Sequence, residues 1–276
     1  MRAILVDATR CTGCDRCVDA CVDANGLDPV QAQLDRATTN DGLSANRPLS
    51  VLKVAPGRFA RMSCMHCLEP SCVAACLVGS ITKTPEGPVV YDREKCIGCR
   101  YCMLACPFHI PRYEWDQPIP YVTKCTMCAE RLARGFQPAC VKACPHDALQ
   151  FGEREELLAE AHRRIAHGPG TYLPRVWGEH EFGGTSVLYV SDVDLAAVGW
   201  PEPRTVPIPA LTGPLIAKTP YIGLSVAGSL LGISWVIRRR MKLASEAADR
   251  AKARPAPDAS GQRPGGDPDP SGGGAP

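Results

Sequence analysis

The sequence predicts an α+β fold of small β hairpins and short helices, with one transmembrane helix near the C-terminal end. Three observations carry that reading. All 16 cysteines of the 276-residue chain lie before residue 145, so a thiol-rich part is set apart from the rest near Gly152. Only 6% of the residues are aromatic, which leaves large side chains a minor share of any core. Thr219 to Ile237, TPYIGLSVAGSLLGISWVI, runs for nineteen residues without a charge. The net charge of +2 is not gathered into a groove or interleaved with aromatics, which excludes a nucleic-acid-binding surface.

The chain opens with MRAILVDATRC, where ILVD reads as a short β segment. No long apolar h-region and no cleavage site precede the first cysteine, so no cleavable export signal is expected and the thiols are read as reduced rather than bridged. The cysteines then fall into four groups: CTGCDRCVDAC from Cys11, CMHCLEPSCVAAC from Cys64, CIGCRYCMLAC from Cys96 and CTMCAERLARGFQPACVKAC from Cys125. In each group the first gap is two residues and the last is three. The middle gap is two, four, two and eleven in turn.

A tight C-x2-C-x2-C loop presents three thiolates from consecutive turns of backbone, as three corners of a cubane iron-sulfur cluster require. The fourth thiol, three residues on, enters a helix and points elsewhere; in two-cluster ferredoxins it ligates the other cluster. Prolines follow Cys106 and Cys144, completing that signature, whereas Val22 and Leu77 follow Cys21 and Cys76. Structural zinc is the competing, non-redox reading. It favours two short knuckles with four ligands in all, often with histidine, and the fourth group alone would fit it.

With these motifs the chain resembles the four-cluster iron-sulfur (beta) subunits of membrane-bound respiratory formate dehydrogenases and nickel-iron uptake hydrogenases. The resemblance spans residues 3 to about 152, and GREELLAEAHRR with GEHEFGGTSVLYV is similar to the C-terminal extension of the same subunits. It implies a tandem ferredoxin-like (4Fe-4S dicluster) domain and four 4Fe-4S clusters. It also implies that the first motif pairs with the fourth and the second with the third. Carried over, Cys11, Cys14, Cys17 and Cys144 hold cluster 1, and Cys125, Cys128, Cys140 and Cys21 hold cluster 2. Cys64, Cys67, Cys72 and Cys106 hold cluster 3, and Cys96, Cys99, Cys102 and Cys76 hold cluster 4. The implied function is electron relay from a catalytic large subunit, molybdopterin or nickel-iron, to a membrane cytochrome b-type subunit and quinone, with no catalytic residue in this chain. An electron-input subunit of a molybdopterin terminal reductase is the alternative within the same class.

Other residues near the thiols invite a role. His66 lacks the second histidine that Rieske-type ligation needs and reads as a hydrogen-bonding loop residue. Arg100 and Lys124 flank cysteines, where positive charge favours the reduced cluster, although each is equally read as a solvated side chain. Asp15 and Asp19 lie inside a motif that already has four thiols and needs no carboxylate ligand.

Between the second and third motifs, ITKTPEGPVVYD predicts a hairpin around Pro85-Glu86-Gly87, and ALQFG predicts a further short strand. The segment from Asp28 to Arg61 is longer than a normal connection and reads as an insertion. After Gly152, Leu157, Leu158, Ala161 and Ile165 form one helical stripe, with acids early and arginines late. A strand within TSVLYV follows, then the proline-rich WPEPRTVPIPALTGP, which reads as extended.

Thr219 to Ile237 is long enough to cross a hydrocarbon core about 30 Å thick. Tyr221 and Trp235 sit near its ends, Arg238, Arg239 and Arg240 follow at once, and Gly228 and Gly232 make a small-xxx-small face. The C-terminal flank carries seven basic residues up to Arg254, against Arg204 and Lys218 on the other side. That bias places the tail in the cytoplasm and the thiol-rich domain on the periplasmic side of an inner membrane. The expected segments are 1–152, an extension over 153–218, a span over 219–237 and a basic, then disordered, tail over 238–276.

Overall fold

The computed structural model describes residues 1–115, 120–200 and 204–253. The chain divides into two compact units, Met1–Gly213 and the residues from Pro214 onward. The proline- and glycine-rich end of the tail, expected to be disordered, lies outside the described residues, as do positions 201–203 of the proline-rich stretch.

The first unit is mixed helix and strand. In chain order its elements are β1 (Arg2–Asp7), α1 (Arg16–Ala24), α2 (Pro29–Thr38), β2 (Leu49–Ala55), β3 (Arg58–Ser63), α3 (Ser71–Ala74), β4 (Ile81–Lys83), β5 (Val89–Tyr91), α4 (Tyr101–Ala105), β6 (Arg112–Tyr113), β7 (Val122–Thr123), α5 (Ala129–Ala133), α6 (Ala139–Lys142), β8 (Leu149–Glu153), α7 (Arg154–His167) and β9 (Val187–Val190). The segment read as an insertion folds into α2, capped by the Asp28 carboxylate on the Val30 and Gln31 N–H groups, and into the β2–β3 hairpin. The predicted hairpin over ITKTPEGPVVYD is β4–β5, with Lys83 opposite Val89.

The two strands expected from ILVD and ALQFG pair with each other, β1 antiparallel to β8 with Ile4 opposite Phe151. The tie closes the start of the first motif against the end of the fourth. On its other edge β1 takes β9 in parallel, Leu5 opposite Leu188. Alternation along β1 then serves two cores. Ile4 and Val6 join Val187 and Tyr189 in the larger core, while Ala3 and Leu5 join Leu188, Val190 and the α7 residues Leu157, Leu158 and Ala161 in a smaller one. Glu155 and Glu156 in the first turn of α7 and Arg164 and His167 in the last match the helix dipole, as expected.

A single helix, α8 (Ile208–Ala253), carries the predicted span and is much longer than it, at 46 residues or about 69 Å. It begins inside the stretch expected to be extended. It also continues past the arginines because Lys, Ala, Glu and Arg are strong helix formers. Pro214 and Pro220 lie within it and remove two backbone donors. The Thr219, Ser225 and Ser229 hydroxyls donate to the carbonyls of Leu215, Tyr221 and Ser225 at 2.8–3.0 Å, which satisfies these polar groups within the helix itself, as a span in lipid requires. The helix is long and apolar enough to cross a membrane, and no residue of its apolar window is buried.

Candidate metal centre

Each cysteine motif is built the same way, from a left-handed turn followed by a short helix. The residue before the second cysteine has positive φ in all four: Gly13 (74°), His66 (50°), Gly98 (71°) and Met127 (54°). That turn folds its N–H back onto the first thiol. Gly98 N–H donates to Cys96 Sγ at 3.4 Å and Met127 N–H to Cys125 Sγ at 3.3 Å, and the Gly13 and His66 N–H groups reach Cys11 and Cys64 likewise. At Gly13 and Gly98 a side chain would also collide, with the Phe59 ring at 2.7 Å and the Tyr113 hydroxyl at 2.8 Å. The third cysteine, Cys17, Cys72, Cys102 or Cys140, is then the second residue of a helix. Asp15 and Arg100 open two of these helices in left-handed conformation, and Pro70 and Pro138 open the other two. The motifs with tight middle gaps use the first device, and those with longer gaps use the second.

The fourth thiol of each motif leaves its own loop. Cys144 acts on Cys11, and the two line one cavity with Cys14 and Cys17. Cys21 is buried among Cys125, Cys140 and Cys128, and burial together with those three holds its thiol well above the ordinary range. Burial, then Cys64, Cys106 and Cys72, does the same to Cys67. Cys76 lines a second cavity with Cys96, Cys99 and Cys102. All sixteen thiols are free, and the structure gathers them into these four sets.

The sets follow one another in space. Cys17 feels Cys140, Cys64 feels Cys125, and Cys72 feels Cys102. Cys14 and Cys99, members of the first and last sets, are exposed. Burial pushes Cys17 and Cys72 up to about 12 and Cys102, Cys106 and Cys140 up to about 11, so these sulfurs are poor bare thiolates and need a cationic partner. Among the described residues no three cysteine, histidine or carboxylate groups converge closely enough for a single metal ion.

Around the thiols lie buried cations. Lys124, 6% exposed, donates to the carbonyls of Val89 and Cys125 and acts on Cys64 and Cys72, so of the two charges weighed from sequence this one is buried. Arg100 is exposed and lies over the Trp115 and Tyr113 rings at 4.4 and 4.9 Å. Lys83 donates to the His66 carbonyl at 3.0 Å and the Ser186 hydroxyl at 3.2 Å, and burial lowers it to about 8. Arg61 reaches Cys140 Sγ at 3.9 Å. Sequence reasoning missed Lys83 and Arg61, since nothing local marks a lysine in a hairpin as half-buried or an arginine in RFARMS as buried. His66 takes the hydrogen-bonding role expected of it. It is fully buried, Val89 N–H donates to its Nδ1 at 2.8 Å, and burial with Lys124, Lys83 and Arg61 keeps its pKa well below the usual range. Asp15 is engaged by Arg36 and Arg47.

Residues 57–154 match the 4Fe-4S dicluster domain family. A protein of Nitratidesulfovibrio vulgaris is 39% identical over 253 residues, covering 88% of this chain and 68% of its own length. The hydrogenase-2 operon protein HybA of Escherichia coli O157:H7 is 34% identical over 278 residues, covering 87% of this chain and 84% of its own. The iron-sulfur subunit of the nitrate-inducible formate dehydrogenase of Escherichia coli K12 is 34% identical over 199 residues, covering 68% and 67%. With the thiol sets, the shared turn geometry and these relatives, the chain belongs to the family of 4Fe-4S dicluster proteins that includes the hydrogenase-2 operon protein HybA and the iron-sulfur subunits of formate dehydrogenases.

Proposed function

We propose that this chain is the electron-transfer subunit of a membrane-bound oxidoreductase, holding four 4Fe-4S clusters on the four thiol sets and having no catalytic site of its own. Its partners are a catalytic large subunit of formate dehydrogenase or nickel-iron hydrogenase type and a membrane cytochrome b-type subunit that passes electrons to quinone. The observation that carries the reading is the continuous succession of sets, from exposed Cys14 through Cys17–Cys140, Cys64–Cys125 and Cys72–Cys102 to exposed Cys99.

When bound, such clusters supply reversible electron uptake over a wide range of potentials. The chain's own residues do the rest. The four left-handed turns aim N–H donors at sulfur, the crossing thiols tie motif to motif, and the buried Lys124 and Arg61 with the half-buried Lys83 supply positive charge beside anionic ligands. Anaerobically matured protein is expected to hold about sixteen irons with matching labile sulfide. Cys21→Ser is expected to remove the EPR signal of the cluster on Cys125, Cys128 and Cys140. Four zinc ions without sulfide, or loss confined to the cluster on Cys11, Cys14 and Cys17, would sink the assignment.

The proposed segments are the cluster domain over 1–152, the extension and linker over 153–218, the span over 219–237 and the tail over 238–276. The excess of basic residues after Ile237 supports a cytoplasmic tail and a periplasmic cluster domain, carried across already folded with a partner that bears the export signal. Protease added to intact spheroplasts is expected to digest the cluster domain. Full protection until lysis would reverse the orientation.

A further inference from the structure

Arg61 is a charge without a counter-charge. It lies on β3 with only 1% of its surface exposed, which makes it the largest of the fully buried side chains. Its Nη2 reaches Cys140 Sγ of the second set at 3.9 Å, and its side chain also lines the cavity of Cys11, Cys14, Cys17 and Cys144. Nε and Nη1 have no hydrogen-bond partner. The groups that act on it are Cys140, Tyr189, Cys125 and Cys17, and no carboxylate among the described residues pairs with it. The Tyr189 hydroxyl donates to the Arg61 carbonyl at 2.9 Å, which fixes the strand, and it also lies beside the guanidinium as a neutral group that supplies no full negative charge.

A buried ion is expensive to hold unless an opposite charge lies against it. The neighbours able to provide that charge are the cysteine sulfurs of two different sets. A guanidinium suits the position better than an ammonium, because its planar fork spreads five donors over two sides and stays charged when buried.

We infer that Arg61 is the shared counter-charge of two successive clusters, the one on Cys11, Cys14, Cys17 and Cys144 and the one on Cys125, Cys128, Cys140 and Cys21, and raises both reduction potentials together. The inference rests on the cluster reading above. An added electron makes each cluster more negative, and a fixed cation in a low-dielectric interior favours that state. Sitting between the two, Arg61 lifts them as a pair, so the step from one to the other stays level while both become easier to reduce than an unassisted cluster would be.

The test is a potentiometric EPR titration of the full-length, cluster-loaded chain. In Arg61→Met two of the four midpoint potentials are expected to fall, each by a tenfold change in the reduction equilibrium, ~59 mV for a one-electron couple. The other two should stay in place, and Arg61→Lys, titrated at a pH low enough to keep a buried ammonium protonated, should stay close to the parent protein in all four. Unchanged potentials in a fully loaded Arg61→Met, or an equal fall in all four, would overturn the inference. Where the Met variant fails to load, Arg61→Lys decides. Loading at parental potentials supports the shared charge, whereas a fall of two potentials despite the retained charge, or failure to load, makes Arg61 a packing residue. A parent protein without four EPR-active clusters would instead defeat the cluster reading itself.

Discussion

The two halves of the thiol domain hold the same kind of ligand set in different amounts of protein. The half built on the first and fourth motifs rests on a three-stranded sheet, with β1 between β8 and β9, and on the two cores that this sheet separates. The half built on the second and third motifs has only β4–β5, three residues a side, and β6–β7, two residues a side. Cys64, Met65, Phe108 and Ile110 of this half join the larger core, and its own buried cluster is Cys72, Ile81, Val89, Cys102, Tyr113 and Val122, two of which are thiols of the proposed ligand sets. Hairpins so short are not stable alone in water. The first half is thus expected to fold largely on apolar burial, and the second to depend more on its metal.

Removing the iron is therefore expected to act very unequally and to have the largest effect of all. After anaerobic chelation, amides of β4 to β7 should lose hydrogen-exchange protection while those of β1, β8 and β9 keep most of theirs. Equal loss across both halves would show that the sheet depends on metal as much as the hairpins do.

The sheet half should instead break through its own side chains. Asp7, at the end of β1, is 1% exposed and is held by Arg164 Nη1 at 2.9 Å, by the Tyr172 hydroxyl at 2.9 Å and by its neighbour Thr9. Arg164→Met leaves that buried carboxylate only the more exposed Arg10, at 3.5 Å, and removing the buried partner of such a pair costs up to about 3–5 kcal/mol. Denaturant melts of the loaded protein should show the loss, with the cluster EPR signals intact in the folded state. A loss below about 1 kcal/mol would mean that solvent reaches the pair and screens it.

The same contrast governs how much could be read from sequence. The four cysteine motifs were legible because their gaps are local, whereas the pairing of one motif with another was implied only by resemblance; two of the four left-handed turns announce themselves as Gly13 and Gly98. His66 and Met127 hold the same turn without glycine, and only their shared position before the second cysteine could have betrayed them. The hairpin around Pro85-Glu86-Gly87 and the stripe of α7 were equally plain. The parallel docking of β9 on β1 was not, because Ile4 and Val187 are joined by no turn chemistry and meet only through the completed core. Arg61 was hidden for a related reason, since its partner is a thiol in another motif and no acidic residue nearby flags it.

Buried and exposed cations give the finest test of the comparison. Arg61 in the sheet half touches sulfur with almost no solvent beside it, whereas Arg100 in the hairpin half opens α4 directly after exposed Cys99 and lies over Trp115 and Tyr113 at the surface. Both stand beside a thiol set, so charge alone would give them similar influence. Water separates them: at an effective dielectric near that of solvent a unit charge does roughly a quarter of the work it does at a partly buried site. Arg100→Gln is thus expected to cost only about 0.5–1 kcal/mol of stability, the worth of an exposed cation over an aromatic face. The midpoint potential of the cluster on Cys96, Cys99, Cys102 and Cys76 should move much less than the two potentials that answer to Arg61, and the small shift should shrink further as salt is added. A salt-insensitive shift as large as that of Arg61→Met would mean that Arg100 is shielded from water in the assembled complex. The thin half of the domain would then be completed by a partner's surface as well as by its metal.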